Sequence, residues 1–234
     1  MNLSEQSSLW RESEDDPGAS PPSLSKVAYC RIKRRILELE LRPGSSLTEI
    51  TLMNAEGMSR TPIRQALQLL EQEGFVFLAP GKGWFIKDIS LRDLQEIFVV
   101  REALEGMAAR LAAESISDES LSELSVYMEK IRKNGECSRL EADPGDIIHQ
   151  KIIDAIDNKQ MRRAISLNGD HLRRFHLMSI RLPGRSLQSY EEHLEILRAL
   201  SERHGEKSEA AMRTHIRSSK QSLFDAIASG KVAW

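Results

Sequence analysis

The segment from Ser59 to Lys87 constrains the fold more than any other part of this 234-residue chain. Thr61 is a good N-cap, and Pro62 suits the first helical position. Behind them Ile63, Ala66, Leu67 and Leu70 fall at i, i+3, i+4 and i+7, forming one apolar face. Gly74 ends that helix. Phe75-Val76-Phe77-Leu78 and Trp84-Phe85-Ile86-Lys87 then flank Pro80-Gly81-Lys82-Gly83, which predicts a β-hairpin. Upstream, Ala28, Ile32 and Ile36 recur at helical spacing over residues 25–41, and Arg42-Pro43-Gly44 stops the run. Thr48 to Ala55 fits a short helix closed by Gly57. Three helices followed by a hairpin outline a winged helix-turn-helix.

Everything after Asp88 reads as helix, over 91–115, 118–134, 144–157, 159–180, 187–203 and 206–229. Ser117-Asp118, Asn134-Gly135, Asp143-Pro144-Gly145, Asn158, Pro183-Gly184 and His204-Gly205 separate these spans. The expected fold is mainly α: an N-terminal winged helix-turn-helix over 25–88, then an all-helical bundle of six or seven helices over 89–234. Residues 1–24 are polar, with five acids against one arginine, and are expected to form a flexible acidic tail rather than a signal peptide.

Composition narrows the function. Lys and Arg total 33 against 35 Asp and Glu, which excludes a histone-like polycation. That balance is uneven along the chain, because residues 25–87 carry ten basic against six acidic residues. Two distant cysteines exclude a disulfide framework and a cysteine-based zinc finger, so a reduced, cytoplasmic setting is expected. No apolar run approaches the roughly 20 residues of a membrane span.

The second helix of a helix-turn-helix places its N-terminal residues against base edges in the major groove. Arg60 and Arg64 stand there, and arginine pairs bidentately with guanine O6 and N7. The hydroxyls of Ser59 and Thr61, with the free N–H groups of a helix start, suit phosphate oxygens. Lys82, at the hairpin tip, can reach a minor groove or a phosphate. On spacing alone, the same residues would also fit a solvated arginine face beside an ordinary hairpin.

Leu47-Thr48-Glu49, Gly57-Met58-Ser59-Arg60-Thr61-Pro62-Ile63-Arg64-Gln65-Ala66-Leu67, Glu73-Gly74 and Gly83 together resemble the GntR family of bacterial transcription regulators. Met58, Ile63, Gln65 and Met53 are mild departures from its usual pattern. The resemblance implies that the Ser59–Arg64 segment, including Pro62, and the wing residues Lys82 and Gly83 contact a DNA operator.

The histidines sort by helical period. His149 shares a stripe with Ile152, Ile153 and Ile156, and His193 with Ile196, Leu197 and Leu200. His215 neighbours Met212 and Ile216. Three inward imidazoles can share one divalent metal; each can equally be a separate core histidine satisfied by one hydrogen bond. Arg101 interrupts the stripe Leu94, Ile97, Leu104, Ala108 and Leu111, and a buried arginine needs an anionic partner. Glu105, one turn on, and the carboxylate of a bound small molecule are both open.

Residues 90–230 resemble the FCD effector domain of the FadR subfamily, through Arg101-x-x-Leu104-Glu105, His149 with Asn158, Glu192-His193 and His215. In that family an Asp and a His one turn apart, with two later histidines, bind a metal, often zinc or nickel, which can take a carboxylate effector. The three histidines match, whereas Gly145 stands where the Asp belongs; Asp146 is the nearest carboxylate. The resemblance therefore implies a homodimeric regulator, not an enzyme and not membrane-bound. It would sit on a pseudo-palindromic operator, repress, and respond to a small carboxylate through the metal, Arg101 and Glu105. The rivals are an architectural DNA-binding dimer without effector and a metal-dependent hydrolase.

Overall fold

The computed structural model describes residues 22–88, 90–134, 144–179 and 182–229, with no account of a few side chains within them. These form two compact units that divide after Ser90. The acidic segment up to residue 21 and Cys137 lie outside the described residues.

The first unit is α1 (Leu24–Leu37), β1 (Ser46–Leu47), α2 (Glu49–Glu56), α3 (Arg60–Gln72), β2 (Val76–Ala79) and β3 (Gly83–Ile86). Ser23 caps α1, its hydroxyl accepting from the Lys26 N–H. Thr48 caps α2 in the same way, and Gly57 closes that helix at φ 65°, a conformation that favours glycine. The apolar face of α3 packs Ile63, Ala66, Leu67 and Leu70 against Ala28, Ile32 and Ile36 of α1. Leu52, Phe75, Val76, Trp84 and Ile86 complete this core.

Two details differ from the sequence reading. The start of α3 lies earlier: Ser59 is the N-cap, Arg60 the first helical residue, and Pro62 the third. The first-turn N–H groups have no intrahelical partner, so a proline costs no hydrogen bond there either. The wing also holds a third strand. β1 pairs antiparallel with β3, Ser46 opposite Phe85 and Leu47 opposite Trp84, and the sheet order is β1-β3-β2. Two residues are too short to show a period, so only the free edge of β3 reveals this strand.

The second unit is helical: α4 (Leu91–Ser115), α5 (Asp118–Asn134), α6 (Pro144–Ala155), α7 (Lys159–Ser179), α8 (Arg185–Ser201) and α9 (Gly205–Ala228). The boundaries follow local chemistry. Ser117 accepts from the Ser120 N–H and Asn158 from the Met161 N–H, capping α5 and α7. His204 caps α9 through Nδ1, which makes it a turn residue. α4 packs along α9, and α6 and α8 complete the layer around them. The buried stripe of α4 runs through Leu94, Phe98, Arg101, Glu105, Ala108 and Ala112, whereas Leu111 is exposed. This inner face is rotated from the one read in the sequence, because small alanines let α9 approach closely on that side. Among the described residues, no helix is long and apolar enough to cross a membrane.

Candidate functional site

In the first unit, the start of α3 and the wing tip present the residues singled out by sequence. Ser59, Arg60, Thr61, Arg64 and Lys82 are exposed. Pro62 is buried beneath them, so it shapes the helix start rather than standing on the surface. Gly83 adopts φ 92°, which only glycine takes readily, and lets the chain reverse from β2 into β3. The hydroxyl of Ser59 makes no capping hydrogen bond. Arg60 Nε lies 3.2 Å from Glu49 Oε2, and Arg64 Nε lies 3.4 Å from Glu49 Oε1. One carboxylate from α2 therefore steadies both guanidiniums while about 60% of each arginine side chain stays in solvent. Such exposed pairs add little stability. Their consequence is orientation, holding both arginines at the same end of the helix.

In the second unit, three helices bring their histidines to one place. His149 of α6, His193 of α8 and His215 of α9 are each at most 4% exposed. Their ring centroids are 5.7, 5.2 and 4.4 Å apart, and one nitrogen from each lies within 4.8 Å of the others. Nitrogens held at about 2.1 Å around a tetrahedral zinc lie about 3.4 Å apart, so a small closure of the rings would complete the cradle.

The surroundings fit such a group. His149 Nδ1 lies 2.5 Å from Glu105 Oε2, and His215 Nδ1 lies 2.8 Å from Glu192 Oε2. A carboxylate on one ring nitrogen fixes the ring and turns the other nitrogen to the ligand position, the arrangement common around metal-bound histidine. His149 Nε2 is buried and has no hydrogen-bond partner among the described residues, which a solitary core histidine would not tolerate cheaply. The trio can hold a metal ion. Asp146 stands in the first turn of α6, three residues before His149, and its side chain is outside the described set.

Arg101 is buried, and its Nε donates to Glu105 Oε1 at 2.8 Å. Of the two anions open to it in the sequence, the folded chain supplies the one on its own helix. Burial opposes ionisation of Glu105, but the Arg101 guanidinium and the His149 ring outweigh it. They hold the carboxyl down at about 2, against 4.5 ordinarily. The stability this carboxylate contributes is present above pH 4.5 and is lost as pH falls through 2. The melting temperature of the native protein, followed by circular dichroism, should drop across that window more steeply than that of Glu105→Gln. Parallel acid profiles would detach Glu105 from the stability of this unit.

Two side chains carry more than the sequence reading assigned them. Glu192 was visible only as part of the Glu192-His193 pair. Arg185 had no assigned role, yet it lies eight residues before His193, on the same helix face. Its Nη2 lies 2.8 Å from Glu192 Oε2 and 2.5 Å from Ser219 Oγ.

Comparison with known proteins adds the lineage. Residues 24–86 match the model of bacterial regulatory proteins of the gntR family, and residues 96–218 match the FCD domain. The chain is 29% identical to the Nta operon transcriptional regulator of Aminobacter aminovorans, over 80% of this chain and 86% of that protein. It is 25% identical to the HTH-type transcriptional repressor RspR of Escherichia coli, over 86% of this chain and 89% of that protein. In fold it is similar to McbR/YncC of E. coli, with a TM-score of 0.66, 23% identity, and coverage of 88% of this chain and 100% of that one. These relatives are transcription regulators and not enzymes. With its three-histidine cradle lying inside the FCD match and its arginine-tipped α3 inside the reader match, the chain belongs to the GntR family of DNA-binding transcription regulators, in the FCD-bearing, FadR-type subfamily.

Proposed function

We propose that this protein is a metabolite-responsive repressor whose helical unit senses a small carboxylate at a metal held by His149, His193 and His215. The observation that carries the reading is the trio itself: three buried imidazoles from three helices, two of them braced by carboxylates, behind a DNA reader. Zinc or nickel suits such a nitrogen donor set, and bound there it supplies a Lewis-acidic position open to a carboxylate oxygen. Asp146 is the candidate fourth ligand. Arg101 and Glu105 set the charge beside His149, and Arg101 is the candidate anchor for the effector.

The reader unit works through Ser59, Arg60, Thr61 and Arg64 at the start of α3, with Lys82 and Gly83 at the wing. Pro62 holds that helix start in shape. Two such units bind a pseudo-palindromic operator as a homodimer, since two-fold operator symmetry mirrors two-fold protein symmetry. Val99, Ala103, Met107 and Leu111 form an exposed apolar stripe on α4, which supports self-association. Repression accords with RspR, a transcriptional repressor, and a cytoplasmic setting accords with the DNA target. Effector binding biases the equilibrium between two arrangements of the reader units and releases DNA.

The test uses an operator selected from random duplex DNA by the full-length protein. Zinc- or nickel-loaded protein should release it on titration with sugar acids, hydroxy acids or dicarboxylates in a gel-shift assay, while chelated protein should not respond. Loaded protein that holds its operator through the whole series would leave an architectural DNA-binding dimer as the better description.

A further inference from the structure

We propose that Arg185 is a second anion anchor of the sensor site, so that the effector carries two acidic groups: one for the histidine trio and one for this guanidinium. The inference rests on the sensor reading above and narrows its ligand to a short dicarboxylate.

Arg185 opens α8 and is only 3% exposed. Among the described residues, its side-chain hydrogen bonds run through one nitrogen, Nη2, to Glu192 and Ser219. Nε and Nη1 are buried and have no hydrogen-bond partner among the described residues. Buried donors are rarely left unmet, and a buried guanidinium is stable only when paired and fully bonded. The unmet nitrogens are therefore places for acceptor oxygens that the described residues do not supply.

Charge points the same way. The carboxylate facing Arg185 is shared, because Glu192 Oε2 also lies 2.8 Å from His215 Nδ1. One negative charge thus serves a guanidinium and an imidazole, and a divalent ion at the other nitrogen of that imidazole would add further positive charge. Arg101 differs: it shows no buried nitrogen without a hydrogen-bond partner. Of the two arginines beside the trio, Arg185 is the one whose unbonded donors are sealed from solvent among the described residues.

Position sets the length of the ligand. Contacts of 2.8 Å join His215 Nδ1 to Glu192 Oε2 and Glu192 Oε2 to Arg185 Nη2. An acid group at the trio and a second at Arg185 need only a short carbon spacer between them. Nη1 carries two N–H donors and suits a carboxylate oxygen, where arginine binds by directed hydrogen bonds as well as charge.

The experiment is calorimetric titration of full-length, zinc-loaded protein with malonate, succinate and glutarate, with butyrate as the single-acid control. At least one dicarboxylate should bind the native protein tenfold or more tightly than butyrate. Arg185→Met should reduce that affinity to the butyrate level, leaving butyrate affinity and bound zinc unchanged. Arg185→Lys keeps the charge without the planar donors, serves where the methionine variant fails to fold, and should weaken the dicarboxylate about tenfold. Dicarboxylate binding within twofold of native in the variant that folds would overturn the anchor, leaving Arg185 as a tie between α8 and α9. Equal binding of butyrate and all three dicarboxylates by the native protein would also overturn it. In both cases the sensor reading survives; only silence of the loaded native protein toward every acid, butyrate and gluconate included, would defeat both.

Discussion

His193→Ala should empty the metal site and silence the sensor without touching the reader. Structural zinc in small peptides is held by about 10–16 kcal/mol through four ligands, so one imidazole is worth about 3 kcal/mol, on the order of a hundredfold in affinity. Metal analysis of tag-free protein should find about one zinc or nickel per native chain after dialysis against the ion and far less in the variant. The native protein should also melt at a higher temperature once loaded, because an ion that binds only the folded state stabilises it. The variant should lack that increment. Its operator affinity in the absence of effector should stay within twofold of native, since His193 lies in the helical unit. A variant that loads and melts like the native protein would remove His193 from the site, and with it the three-histidine reading.

Arg60→Ala and Arg64→Ala should each weaken specific operator binding by about 1–3 kcal/mol, the worth of a bidentate arginine–guanine pair. That corresponds to about 5- to 150-fold in affinity, read by gel shift at fixed salt against a scrambled duplex. The fold should be unaffected, because both side chains are about 60% exposed and their pairing with Glu49 is solvent-screened. A loss of the same size on scrambled DNA would make these arginines phosphate contacts instead of base readers. Unchanged affinity would remove them from the interface.

The helical half was legible in outline because its signals are local. Spans such as 91–115 and 118–134 coincide with α4 and α5, since Ser117 and its neighbours break the helix wherever the rest of the chain lies. The start of α3 was less legible. Thr61-Pro62 is a strong helix-start signal, yet Ser59 holds the N-cap, and nothing in the sequence weighs the two capping residues on either side of Arg60 against each other. β1 was not legible at all, since a two-residue strand exists only through the edge of β3 that pairs with it.

The sequence by itself determined which faces of α6, α8 and α9 turn inward, though not that of α4. Apolar spacing places His149, His193 and His215 on buried stripes, and all three are buried. It equally determined that Arg60 and Arg64 stand at a helix start, because capping and periodicity act over one or two turns. Tertiary structure alone decided that the three inner faces meet at one level, within 4.8 Å of each other. It alone decided that Glu105 and Glu192 brace His149 and His215, and that Arg185 arrives with donors unmet among the described residues. Periodicity fixes the angle of a side chain about its own helix. The height at which that side chain meets another helix depends on how every helix packs, and no local window of sequence contains that information.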